Sequence, residues 1–273
     1  MRGRKFNLVR MLGTSTVLTG LLLGLMAAPA SAGRAGSPSA ADEAQRARAT
    51  GAAVEIAGLR TDTQRVYANP DGTRRAVFSV PAEQAAAIDG IWSGTASWTS
   101  ISSQYPNQSY WMDSVARVGY LSDIGSTGVW RSIFQFDTSA VQGKIIDSAA
   151  FRVTLAHSWS CQSTPVQLWQ TAAIDASTTW TSHAGSWPAL LAQANGAANS
   201  TCGQPQQNMS FSGTALRDLV QQGASTANPT ATVGLRAASE TAQAQWKRFT
   251  PSTARLEVVY SEPLPLASGT TLS

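Results

Sequence analysis

The chain has 273 residues, with 20 Lys or Arg against 16 Asp or Glu, a formal net charge of +4. The whole excess sits in Arg2, Arg4, Lys5 and Arg10, so the rest is balanced and gives no electrostatic reason to expect nucleic acid or an anionic membrane as partner. A charged fraction of only 13%, with abundant Ser, Thr, Gln, Asn and Gly, suits an extracellular β-domain.

The four basic residues precede an apolar stretch from Leu12 to Met26 and a small-residue A-x-A site at Ala30, Ser31 and Ala32. This order predicts a cleavable secretion signal over residues 1–32. A membrane anchor would need about 20 apolar residues and no cleavage site. The product is therefore expected to be secreted, extracellular or wall-associated, with no membrane partner once the signal is removed, and monomeric.

Residues 33–51 are rich in Ala, Gly, Ser and Arg without an apolar period, which predicts a flexible linker. Asn69, Pro70, Asp71 and Gly72 then make a strong turn signal between 64–68 and 73–80, a small hairpin. A lone hairpin is marginal in water, so it must dock or stay mobile. Residues 81–89 suggest a short Ala-rich helical turn. The region 33–93 is thus expected to be a linker and hairpin extension that the main domain can fold without.

From about Thr95 short strands dominate. They are expected at 95–101, 114–121, 129–137, 146–157, 165–171, 208–212, 231–237, 246–249 and 254–260, with a long polar loop between 171 and 208. Period-2 alternation is clearest where Trp130, Ser132, Phe134 and Phe136 oppose Arg131, Ile133 and Gln135, and where Ala149, Phe151, Val153 and Leu155 share a face. One helix is predicted from Thr214, with Leu216, Leu219 and Val220 as its stripe and Gly223 as its stop. The fold class is all-β: an antiparallel jelly-roll sandwich over 94–261 with one short capping helix. Residues 262–273 read as a Pro/Ser/Thr-rich tail.

Cys161 and Cys202 are the two cysteines. In an exported chain they are expected to form a disulfide, and closing a loop of that length stabilises by roughly 4 kcal/mol in the chain-entropy model. A metal site with His157 and His183 is the rival, but His157 and Cys161 on one extended strand stand about 13 Å apart. No metal ligand set is assigned.

No nucleophile elbow, HExxH, P-loop or CxxC pattern occurs. The acids of the β region, among them Asp113, Asp137, Glu240 and Glu257, each fall near a turn, cap or strand end, and no pair shares a motif. A glycosidase needs two convergent carboxylates, so no catalytic residue is assigned and the chain is read as non-enzymatic. The nine Trp residues are more informative. Trp130, Trp169 and Trp246 alternate with polar residues and are expected in the core. Tyr105, Tyr110 and Trp111 fall in a polar loop with Gln104 and Asn107. Trp159 lies beside Ser158 and Ser160, and Trp180 and Trp187 flank His183. Sugar rings pack their C–H faces on such rings while amides meet their hydroxyls. Tyr105, Tyr110, Trp111, Trp159 and Trp180 are the candidate carbohydrate contacts.

A family resemblance points the same way. Gln104-Tyr105-Pro106-Asn107 with Tyr110-Trp111, Ala116-Arg117-Val118-Gly119-Tyr120, and Arg131-Ser132-Ile133-Phe134-Gln135-Phe136-Asp137 come in a characteristic order. Pro165-Val166-Gln167-Leu168-Trp169 and Arg255-Leu256-Glu257-Val258-Val259-Tyr260 follow. Over about 94–261 the chain resembles the DNRLRE domain family of secreted bacterial jelly rolls, akin to carbohydrate-binding modules and often found in wall-associated or Rhs-type proteins. The motif that names the family is not present as such. The resemblance implies a non-catalytic module that binds cell-wall or extracellular polysaccharide. A structural spacer in a larger wall-associated or toxin-like protein is the alternative, and a glycan hydrolase the third reading. No cofactor is expected. A structural Ca²⁺ is compatible with jelly rolls in general, although no D-x-D-x-[DN] loop occurs here.

Overall fold

The computed structural model describes residues 39–61, 63–79, 97–123 and 125–261. The expected signal segment, the 81–89 turn and the 262–273 tail lie outside them. In chain order the elements are α1 (Ala40–Thr50), β1 (Val54–Glu55), β2 (Gln64–Ala68), β3 (Arg74–Ser79), β4 (Ser97–Ser102), β5 (Tyr110–Trp111), β6 (Ala116–Asp123), β7 (Ser126–Asp137), β8 (Ile145–Ser158) and β9 (Thr164–Gln170). Then come α2 (Trp180–His183), β10 (Ala189–Gly196), β11 (Gln207–Ser212), α3 (Thr214–Ala224), β12 (Thr230–Ala237) and β13 (Lys247–Ser261).

All pairing is antiparallel, and the fold is the all-β sandwich that the alternation predicts. One layer holds β2, β3, β13, β8 and β11; the other holds β4, β7, β12, β9 and β10. Strand β6 joins them. Its Ala116 and Val118 pair with Phe249 and Lys247 of β13, and its Gly119–Asp123 pair with Trp130–Ser126 of β7. At the crossing Gly119 has φ 98°, and a Cβ there would stand 3.0 Å from the Gln245 carbonyl and the Trp246 Cα. Only glycine takes both that conformation and that approach.

The inward faces make the main core. Phe134, Phe136, Phe151 and Phe211 pack ring on ring, with Trp98 stacked on Phe134 at 5.9 Å. Burying each such ring stabilises by roughly 2–3 kcal/mol. Leu216 and Val220 of the predicted stripe close one end together with Ala224, while Leu219 is only half-buried.

Three sequence expectations need correcting. The 33–51 linker contains α1, started by a capping box in which Ser39 Oγ accepts from the Asp42 amide and Asp42 accepts from the Ser39 amide. The hairpin of β2 and β3 docks as part of the sheet: Arg74–Ser79 pair with Tyr260–Arg255, and Val66, Ala68, Ala76 and Phe78 are buried in the main core. The polar loop after 171 contains β10, whose alternation is broken by a bulge between Leu190 and Ala192.

Candidate functional site

One end of the sandwich is built from loops. Ser102 of β4 and Gly119 of β6 both pair with Trp130, while Lys247 pairs with Val118 and with Ser158 at the end of β8. The segments 103–109, 159–163, 199–204 and 238–246, with Ser122, Asp123 and Gly125, therefore meet at this rim. Their hydrogen bonds form a chain. Gln104 donates its amide to the Tyr105 hydroxyl and to the Gly125 carbonyl, both at 3.1 Å, and Gln243 donates to the Ser122 carbonyl at 3.1 Å. The Trp159 amide donates to the Trp246 carbonyl at 3.0 Å. Asn199 donates its side-chain amide to the carbonyls of Ser158 and Trp159.

Cys161 and Cys202 are disulfide-bonded, with Cα atoms 6.0 Å apart, and Gln204 donates to the Cys161 carbonyl at 2.7 Å. The backbone of Trp159 is thus held on both sides while the residue stays 46% exposed. Tyr105 is 43% exposed. The other three candidates are half-buried. Tyr110 packs edge-on against Trp130 at 4.9 Å, and desolvation raises its hydroxyl above the usual phenol range. Trp111 pairs with Thr99 through β5 and packs under the neighbouring loop. Trp180 lies over the Arg131 guanidinium at 4.8 Å.

That neighbouring loop, residues 171–188, was not legible as structure. It leaves β9, crosses the outer face of β7 and β4 and returns to β10, forming a strap. Gln135 accepts from the Ile174 amide at 3.0 Å, the Pro106 carbonyl accepts from the Thr181 amide at 2.9 Å, and Arg131 donates to the Ala184 carbonyl at 2.7 Å. Beneath it Ile101, Ile133, Ile174 and Trp187 make a second apolar cluster, against which Trp111, Trp169 and Trp180 pack. Arg131 is its centre. The guanidinium sits between Trp180 and Trp187, at 4.8 and 5.0 Å, and pairs with Glu240 through both carboxylate oxygens at 2.6 and 2.7 Å. Arg236 stacks on Trp169 at 4.9 Å beside the same Glu240.

The histidines serve packing. His183 is bonded to Ser182 and to the Ala173 carbonyl within the strap, with no carboxylate on either ring nitrogen. His157 lies edge-on to Trp246, and burial, then Arg248, holds its pKa below the usual histidine value. Asp113, Glu240 and Glu257 are paired with arginines. Among the described residues no group of three or more His, Cys, Asp or Glu converges on a point that could hold a metal ion.

The sequence placed Tyr105 and Trp159 on open loops, and both rings are exposed at one rim. The alternation puts Trp169 in the core and the polar surroundings put Trp187 on a loop; Trp187 is buried under the strap, and Trp169 is half-buried beside it on the outer face. Arg131 and Glu240 were missed as a unit. The available signal was the outward parity of Arg131 next to Ile133 on a strand whose inward face is already apolar. No family model and no curated protein sequence matches this chain.

Proposed function

We propose that the chain is a secreted, non-catalytic module of the DNRLRE type that binds cell-wall or extracellular polysaccharide at the loop rim. The observation that carries this reading is the pair of exposed rings, Tyr105 and Trp159, on loops braced by amide side chains and a disulfide. Rings held on a rigid backbone lose little entropy on binding. A sandwich end is where a scaffold usually displays such loops. Each ring contributes about 1 kcal/mol by stacking, so single-site affinity falls between about millimolar and tens of micromolar.

The test is retention of the purified protein on insoluble peptidoglycan, chitin, cellulose and alginate. Trp159→Ala and Tyr105→Ala are expected to weaken retention on the bound glycan roughly thirtyfold together, with the melting temperature unchanged. Absence of retention on every polymer, or retention indifferent to both substitutions, hands the chain to the spacer reading. That alternative draws on the packing of Tyr110, Trp111 and Trp180, which serve the fold.

A further inference from the structure

A groove follows α3 at the opposite end of the sandwich, where Asp137 of β7 pairs with Thr230 of β12. It consists of two open cavities, about 520 and 580 Å³, which share Gln170, Leu219 and Gln222. Both volumes lie in the range of small-ligand sites. Leu219, Leu191 and Ala189 give it an apolar floor.

Four side-chain amides line it: Gln170, Gln221, Gln222 and Asn228. Gln170, Gln222 and Asn228 make no side-chain hydrogen bond to the described residues, whereas Gln221 is bonded through both its oxygen and its nitrogen. Gln221 accepts from the Ile146 amide at 2.8 Å and donates to the Lys144 carbonyl at 3.1 Å. The single ionisable residue on the lining is Asp218, and Arg217 holds its carboxylate at 2.5–2.9 Å.

Uncharged donors and acceptors above an apolar strip match a ligand with hydroxyls on its rim and C–H groups on its faces. An extended peptide would instead seek a free strand edge. Strand β9, which supplies Gln170, has none, being paired with β12 on one side and β10 on the other; β10, which supplies Ala189 and Leu191, pairs with β9 alone among the described strands, so strand addition there is the outcome that the peptide arm of the test detects. We propose that this groove is a binding site for a neutral oligosaccharide. It spans more than one sugar ring, because the two cavities adjoin, and it is independent of the rim. With no aromatic platform its affinity is near millimolar.

Amide-resolved NMR titration of the whole chain tests this, with cellotetraose, maltotetraose and chitotetraose as probes and tetra-alanine as the peptide arm. At least one tetraose is expected to shift Gly223, Thr226 and Asn228. Gln222→Ala with Asn228→Ala should weaken that response about tenfold, as expected for two lost hydrogen bonds. Both residues are surface-exposed, so the fold should be retained. Trp159→Ala should leave the response intact even if it abolishes binding at the rim, which separates this site from that reading. Silence of these amides with every tetraose, a response to tetra-alanine alone, or a response undiminished in the double variant overturns the proposal.

Discussion

The outer face of β7 and the inside of the sandwich bury two cations in opposite ways. On the outer side Arg131, 8% exposed, has Glu240 on its fork, the Ala184 carbonyl on a third nitrogen and an indole on each face. On the inner side of the sandwich Lys247, fully buried, has one hydrogen-bond partner among the described residues, the Thr164 hydroxyl. Burial pushes its pKa down to about 8. The planar arginine can be enclosed because its charge is matched in every direction, whereas the ammonium is a point charge with most of its hydration unreplaced. The second cluster is built around its cation; the main core puts up with one.

The largest effect should come from removing the matched cation. Arg131→Met leaves Glu240 with only the longer contact to Arg236, at 3.4 Å, and both indoles without their partner. Breaking a buried pair costs about 3 kcal/mol, and a domain of this size should melt roughly 6–12 °C lower. An unchanged melting temperature would mean that the stacked assembly adds nothing to the fold.

Next is Gly234→Ala, which attacks the same cluster without touching charge. A Cβ there would stand 2.3–2.4 Å from the Trp187 ring and 2.8 Å from Thr171 Cγ2. The indole must lift, at a cost of about 1–3 kcal/mol. Limited proteolysis should then cut within 171–188 while the β8–β13 ladder keeps its hydrogen-exchange protection. Uniform loss of protection would show that strap and core melt as one unit.

The smallest effect has the opposite sign. Lys247→Met should stabilise by roughly 1–2 kcal/mol, since a buried ammonium gives way to a thioether of similar length. The pH dependence separates the charge from the packing. With a folded value near 8 and an unfolded value of 10.5, the unfolded chain holds the extra proton between them. The lysine's penalty is therefore full below pH 8 and fades as pH rises toward 10.5. Chemical denaturation should find the gap between wild type and variant closing over that window. A constant gap would trace the gain to packing alone.

The contrast also marks what could be read from the sequence. The main core was legible because β7 and β8 alternate cleanly and α3 repeats at helical spacing. Both patterns are local. The strap has no pattern: its Ala, Ser and Thr residues read as loop, and Trp180 and Trp187 read as spare aromatics. What buries Trp187 is the missing side chain of Gly234, on a strand the chain reaches some 50 residues later. The same limit hid α1, since a capping box at Ser39 and Asp42 is easily lost in an Ala- and Arg-rich stretch. The rim was half legible, because polar loops advertise Tyr105 and Trp159 but cannot tell them from Tyr110 and Trp111, whose packing is set by distant partners.

Strand β13 carries a consequence for how the molecule assembles. It zips to β3, about 180 residues upstream, and to β8, about 100 residues upstream. Until it arrives, the inner edges of both strands lie open and their layer stays split between β2–β3 and β8–β11. Contacts so distant along the chain make for slow folding, and an incomplete chain exposes unpaired edges to its neighbours. The sandwich therefore cannot form progressively from its N-terminus: it waits for β13, and folding is in effect a single late event.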